Sequence, residues 1–159
     1  LWAGPMLGMD VVVCCPKGYD MKKEMEEAKK DIEKHNWKGS LEVAYDPVEG
    51  VTGADAIENK VWVLPEWIPH WAGGAGVMSP EELKKVIPHM SNPEKYKNWI
   101  VTDELMDHGN RGIMYMNSLP AIKGEEVTEE VFEGPRSVVF DEAENRLHAQ
   151  KGVLACLMT

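Results

Sequence analysis

Apolar residues recur along this chain with two different periods, and their alternation sets the expected fold. Residues 9–15 (MDVVVCC) form an unbroken run rich in β-branched side chains, stopped by Pro16 and Gly18. Such a run predicts a strand covered on both faces, as in a parallel sheet. From Asp20 the period lengthens: Met21, Met25, Ala28 and Ile32 recur at helical spacing, with charged residues between them. That is the pattern of an amphipathic helix, with Asp20 as its N-cap and Gly39 as its stop. LEVAYD (41–46) alternates like a short strand, and DPVEGVTGA reads as a helical turn with Pro47 at its first position. DAIENKVWV (55–63) is another strand. Strands that alternate with helices predict an α/β fold, a parallel sheet flanked by helices and joined by right-handed crossovers.

Residues 64–98 break this rhythm, with prolines at 65, 69, 80, 88 and 93 and a GGAG stretch. A connection of that length inside a compact domain is usually functional. Only SPEELKKVI within it has a helical start, with Ser79 as cap and Pro80 at the first position. Beyond it the pattern predicts a short helix in TDELMDHG capped by Thr102, a strand in GIMYMNS (112–118) and a turn of helix in VTEEVFEG. A strand in SVVF (137–140) and a final helix from about Asp141 to Met158 complete the series. On that last helix Leu147, Val153, Leu154 and Leu157 form an apolar face.

Composition narrows the functions. The chain has 159 residues, room for one domain with a buried core. Asp and Glu total 27 against 17 Lys and Arg, a formal charge of -10, so the net field repels nucleic acid and anionic lipid. No apolar stretch is long enough for a membrane span. Cys14, Cys15 and Cys156 are odd in number and show no ligand spacing, which suits reduced, buried thiols in a cytoplasmic protein. The five histidines show no HxH or HxxxH pattern, so no metal site is expected.

Ligands of open α/β sheets bind beyond the carboxyl ends of the strands, which directs attention to three segments. The first is Lys60-Val61-Trp62, the second Asn117-Ser118-Leu119-Pro120 after GIMYM, and the third Asp141 to Arg146 after SVVF. Arg146 follows three carboxylates near a helix start, where backbone N–H groups attract an anion and a guanidinium grips one bidentately. The same carboxylates would equally complement the helix dipole and pair with Arg146. Asn and Ser before a proline also suit an ordinary turn, and a lysine at a strand end an ordinary solvated one.

FDEAENRLHAQKGVLACLM (140–158), GPRSVVF and NSLPAIKGEEVTEEV resemble the second-substrate domain of the aspartate/ornithine carbamoyltransferase superfamily. LGMDVVVCCPKGYD and SLEVAYDPVEGVTGAD fit the same domain, so the resemblance covers essentially the whole chain. It implies a Rossmann-like three-layer domain over 1–159 that binds the amino acid or amine. It also implies transfer of a carbamoyl group from carbamoyl phosphate to that amino group, with release of phosphate and no cofactor. By matching position, Arg146 contacts carbamoyl phosphate and the Leu119 carbonyl faces the reacting amine. Lys60, Trp62, Asn117, Ser118 and Pro120 then line the second-substrate site with Leu119, and Ser118 stands with Arg146 and Leu119 among the catalytic positions.

The KxW segment, the proline-rich stretch and KYKNWIVTDELM are similar to the knotted branch that includes acetylornithine and succinylornithine carbamoyltransferases. That branch implies a trefoil knot formed by 64–98 and a carboxylate-binding role for Lys60. Ornithine enzymes carry an aspartate in DxWxSMG and a cysteine in HCLP, whereas this chain has Lys60 and Asn117-Ser118-Leu119-Pro120. Acetylornithine enzymes carry an arginine and a lysine where Ile122 and Glu126 stand. The alternative class is therefore a non-catalytic binding or assembly subunit. Family enzymes are trimers in the cytoplasm whose S-x-R-T and H-P-x-Q segments lie in an N-terminal carbamoyl phosphate domain. Neither segment occurs here, nor does the second domain's first strand, and these 159 residues alone are expected to be inactive.

Overall fold

The computed structural model describes residues 1–60 and 96–158, with Ser79 and Glu81. The chain divides into two compact units, Leu1–Gly53 and Ala54–Thr159. In the first, α1 (Ala3–Met6), β1 (Val11–Cys14), α2 (Lys22–His35), β2 (Leu41–Ala44) and α3 (Pro47–Val51) follow one another. β1 and β2 pair in parallel from Val11↔Leu41 to Cys14↔Ala44, with α2 as the crossover between them. Met25 and Ala28 of α2 are buried with Leu41, and Val11, Val13, Ile32 and Val43 pack around them. These contacts cover one face of β1 with α2. On the other face Val12 is 44% exposed while Cys14 packs against Gly50 of α3, so that face is only partly covered.

Two expected helix boundaries move for identifiable reasons. Asp20 does not cap α2: its carboxylate accepts the Tyr45 hydroxyl at 2.5 Å, and Met21 enters the helix with φ at 43°. α2 also stops before Gly39, because Asn36 turns left-handed (φ 51°) and the Trp37 N–H closes back on the Ile32 carbonyl at 3.1 Å. Gly39 serves a different need. A Cβ there would stand 2.1 Å from the Met9 carbonyl oxygen and 2.6 Å from Pro5 Cα. The start of α3 is as expected, with Pro47 in its first turn and the Asp46 side chain accepting from the Glu49 N–H at 3.0 Å. The Cys14 thiol, which donates to the Asp46 carbonyl at 3.4 Å, lies so close to Gly50 that a Cβ there would meet its sulfur at 2.4 Å.

The second unit holds β3 (Ala56–Asn59), α4 (Asp103–Met106), β4 (Met114–Asn117), α5 (Glu129–Phe132) and α6 (Val139–Leu157). β3 and β4 are parallel, in register from Ala56↔Met114 to Asn59↔Asn117. Leu105, Met106, Ile113, Tyr115, Val127, Val131, Phe132 and Val139 are buried. Thr102 caps α4 through the Leu105 N–H (3.1 Å), as the sequence predicts, and Thr128 caps α5 in the same way through that of Val131 (3.4 Å). Arg136 donates to Asp107 Oδ1 at 2.7 Å and also pairs with Asp103, bridging the two ends of α4.

Two expectations fail in this unit. SVVF is not a strand: Ser137 makes a single parallel bridge to Tyr115, and α6 begins at Val139. The Glu142 N–H donates to the Val138 carbonyl at 2.8 Å, so the helical ladder takes the segment two residues earlier than its β-branched composition suggests. The apolar face of α6 is open to solvent, with Leu147, Val153, Leu154 and Leu157 all exposed. Cys156 on the same helix is exposed rather than buried, whereas Cys14 and Cys15 are half-buried. Trp62, the knot expected of 64–98 and nearly all of the SPEELKKVI helix lie outside the described residues. Among the described residues no helix is long and apolar enough to cross a membrane.

Candidate functional site

Parallel pairing brings the carboxyl ends of β3 and β4 side by side, and the residues leaving both strands meet there. Lys60 follows β3 and Ser118 follows β4, and the Lys60 ammonium donates to the Ser118 hydroxyl. Glu58 is two residues before Lys60 and so on the same face of β3. Its Oε1 is 3.5 Å from Lys60 Nζ. The Glu58 carboxyl is raised above its ordinary range by burial and by the negative charge of Glu142, while Lys60 and the Ser118 backbone pull it back.

The loop after β4 is shaped from beneath by a buried polar chain. Asn117 is almost fully buried. Its side-chain oxygen accepts the Leu119 N–H at 2.8 Å, and its amide donates to the Tyr115 hydroxyl at 3.3 Å. Its own backbone N–H donates to Glu142 Oε2 at 3.0 Å. Leu119 takes a left-handed backbone (φ 53°) and precedes Pro120 through a cis peptide bond. Tyr115 is fully buried, and burial pushes its hydroxyl up to about 12. Further on, the Ile122 N–H donates to Glu126 Oε1 at 2.6 Å. Glu126 is fully buried, its Oε2 has no hydrogen-bond partner, and burial pushes its carboxyl up to about 7. A charged carboxylate there would lack the solvation it has in water, which is why the proton is held.

Of the residues singled out in the sequence, the structure brings Lys60, Asn117, Ser118, Leu119 and Pro120 to one place. Arg146 stands on α6, four residues and one turn beyond Glu142. It is exposed, and among the described residues no hydrogen bond or ion pair ties it to the loop. Trp62 is outside the described residues. No group of three or more His, Cys, Asp or Glu suited to a metal occurs among the described residues.

The structure adds Glu58, Tyr115, Glu126 and Glu142 to the site. The period-two alternation of AIENK already aligns Glu58 with Lys60. Glu142 was visible only as one of several carboxylates at a helix start; its partner, the Asn117 N–H, is 25 residues away. Chemically the arrangement offers an ammonium and a hydroxyl side by side, a loop whose backbone is set by Asn117, and an arginine one turn along the adjoining helix. Such a set can hold a small polar molecule and orient it.

A family model for the Asp/Orn binding domain of aspartate/ornithine carbamoyltransferase matches residues 1–157. The ornithine carbamoyltransferase of Pyrococcus horikoshii is 40% identical over 157 residues, which is 98% of this chain and 43% of that protein. The enzyme of that name from Carboxydothermus hydrogenoformans is 38% identical over 153 residues, 96% of this chain and 43% of the relative. Among solved structures, ornithine carbamoyltransferase from Pyrococcus furiosus superposes with a TM-score of 0.71 at 39% identity, covering 96% of this chain and 43% of that one. Acetylornithine transcarbamylase complexed with acetylcitrulline superposes with a TM-score of 0.70 at 28% identity, covering 97% and 41%. This chain thus spans less than half the length of the relatives it matches.

Proposed function

Because this chain belongs to the aspartate/ornithine carbamoyltransferase family, whose Asp/Orn binding domain it matches over residues 1–157, we propose that residues 1–159 bind the amine in a carbamoyl transfer. In that reaction the amine nitrogen attacks the carbamoyl carbon of carbamoyl phosphate, the bond from that carbon to the phosphate oxygen breaks, and phosphate leaves as the nitrogen gives up a proton. The protein's task is to align the two substrates and to stabilise charge on the tetrahedral carbon and the leaving phosphate.

The observation that carries this reading is the loop after β4, clamped by Asn117 beside the Lys60–Ser118 pair at the carboxyl ends of two parallel strands. In this reading the Leu119 carbonyl accepts a hydrogen bond from the attacking amine and Ser118 takes the cysteine position of the family's HCLP segment. Lys60 and Asn117 hold or shape the site for the second substrate, with Trp62 and Pro120 at its edge. Arg146 meets carbamoyl phosphate, where its planar donor fork suits both a carbonyl and a phosphate oxygen. The complete protein works as a homotrimer in the cytoplasm.

The test is phosphate release from carbamoyl phosphate by the complete polypeptide, offered ornithine, acylated ornithines, diaminopropionate and 1,4-diaminobutane. Arg146→Ala should raise the KM for carbamoyl phosphate, and Lys60→Ala mainly that for the amine. Wild-type kinetics in both variants would remove these assignments. The second reading, a non-catalytic binding or assembly subunit, is favoured by one observation: Asn117 and Ser118 replace the His and Cys of HCLP, and the Asn117 amide is turned inward. It predicts binding of an amine without turnover in the complete polypeptide.

A further inference from the structure

Lys60 is already engaged by an anion from its own strand. Its ammonium lies between the Ser118 hydroxyl and Glu58 Oε1, the latter at 3.5 Å. Glu58 is placed there by strand geometry, because residues two apart on β3 share a face. The polar line continues through Asn117, whose N–H is held at 3.0 Å by a second carboxylate, that of Glu142. From Glu58 through Lys60, Ser118 and Asn117 to Glu142 there are two carboxylates and one ammonium. Among the described residues the next cation along α6 is Arg146, one turn beyond Glu142, and it is proposed to meet carbamoyl phosphate.

A substrate carboxylate approaching Lys60 therefore meets Glu58 at the same nitrogen, whereas an ammonium approaching Glu58 meets a second carboxylate nearby, Glu142, which pairs with no cation among the described residues. We infer that Glu58 is a specificity-determining residue: it supplies the carboxylate that Lys60 engages, so the second substrate is an amine whose distal end is cationic rather than a carboxylate, a diamine in place of an amino acid. This rests on the proposed function for where the amine binds, and it changes the role of Lys60 from capturing a substrate carboxylate to anchoring Glu58 and Ser118. Lys60 and Glu58 are both substantially solvent-exposed, so the discrimination is of the size of an exposed charge pair, about two- to fivefold.

The test measures equilibrium binding of 1,4-diaminobutane and of ornithine to the complete polypeptide by calorimetry, for wild type and Glu58→Gln, with phosphate release from carbamoyl phosphate followed in parallel. Wild type should bind the diamine more tightly. Glu58→Gln should shift the ratio of the two Kd values about two- to fivefold toward ornithine, and raising the salt should shrink the wild-type preference, since exposed charges are screened. Circular dichroism checks that the variant folds; if it does not, the salt dependence of the wild-type ratio decides. Tighter binding of ornithine by wild type, a ratio indifferent to both Glu58→Gln and salt, or no binding of either amine overturns the inference. A diamine preference without phosphate release from any amine instead overturns the proposed carbamoyl transfer and leaves the role of Glu58 standing.

Discussion

Glu126→Gln isolates the energetic consequence of a buried acid beneath the candidate loop. In the folded protein the Glu126 carboxyl titrates at about 7, against an ordinary value of 4.5, with burial as the main cause. The folded state therefore holds this proton more tightly than the unfolded chain does. The group's contribution to stability is complete below about pH 4.5, drains away as the pH rises, and is gone above about pH 7. Each pH unit inside that window costs about 1.4 kcal/mol, so the full loss is about 3 kcal/mol, and about 2 kcal/mol of it falls between pH 5.5 and 8. Glutamine keeps an acceptor for the Ile122 N–H, which Glu126 Oε1 holds at 2.6 Å, but it cannot ionise. Urea unfolding followed by circular dichroism at a series of pH values gives the comparison. The stability difference between wild type and Glu126→Gln should change by about 2 kcal/mol from pH 5.5 to 8, with wild type losing ground as the pH rises. Parallel pH profiles would show that Glu126 is ionised in the folded protein and would refute the reasoning.

Asn117→Ala removes the acceptor of the Leu119 N–H and the donor to the Tyr115 hydroxyl. It should cost about 1–3 kcal/mol in denaturant unfolding and, under the carbamoyl transfer proposed for the complete polypeptide, raise the KM for the amine more than that for carbamoyl phosphate. Gly39→Ala drives a Cβ to 2.1 Å from the Met9 carbonyl oxygen, where only backbone can give way. A loss of about 1–3 kcal/mol is expected from overpacking of this kind, and an unchanged melting temperature would show that the α1–β1 connection moves freely.

What could be read from the sequence was whatever depends on near neighbours. Asp46, Thr102 and Thr128 each hold a cap whose partner is three residues away; the helix start at Pro47, the Thr102 cap and the helical turn after Thr128 were legible. Asp20 misled because its partner, the Tyr45 hydroxyl, is 25 residues on and outcompetes the local backbone. SVVF misled because strand composition says nothing about how many partners a strand finds. One bridge to Tyr115 is too little to compete with the helix that starts at Val139. The site divides in the same way. Lys60, Asn117 and Ser118 were visible as strand-end residues and the alternation of AIENK aligned Glu58 with Lys60, whereas Glu142 finds its partner 25 residues away and Glu126 is set apart by its burial.

The close approach of Gly50 to Cys14 makes the first unit report on its own breathing. The Cys14 thiol is held against α3 and the Asp46 carbonyl, and burial pushes it up to about 11. Almost none of it is the thiolate that alkylating reagents attack. Its labelling at neutral pH should therefore wait for α3 to lift from β1, long after the exposed Cys156 has reacted. The ratio of the two labelling rates gives the free energy of that local opening, with one cysteine as the clock and the other as the time signal.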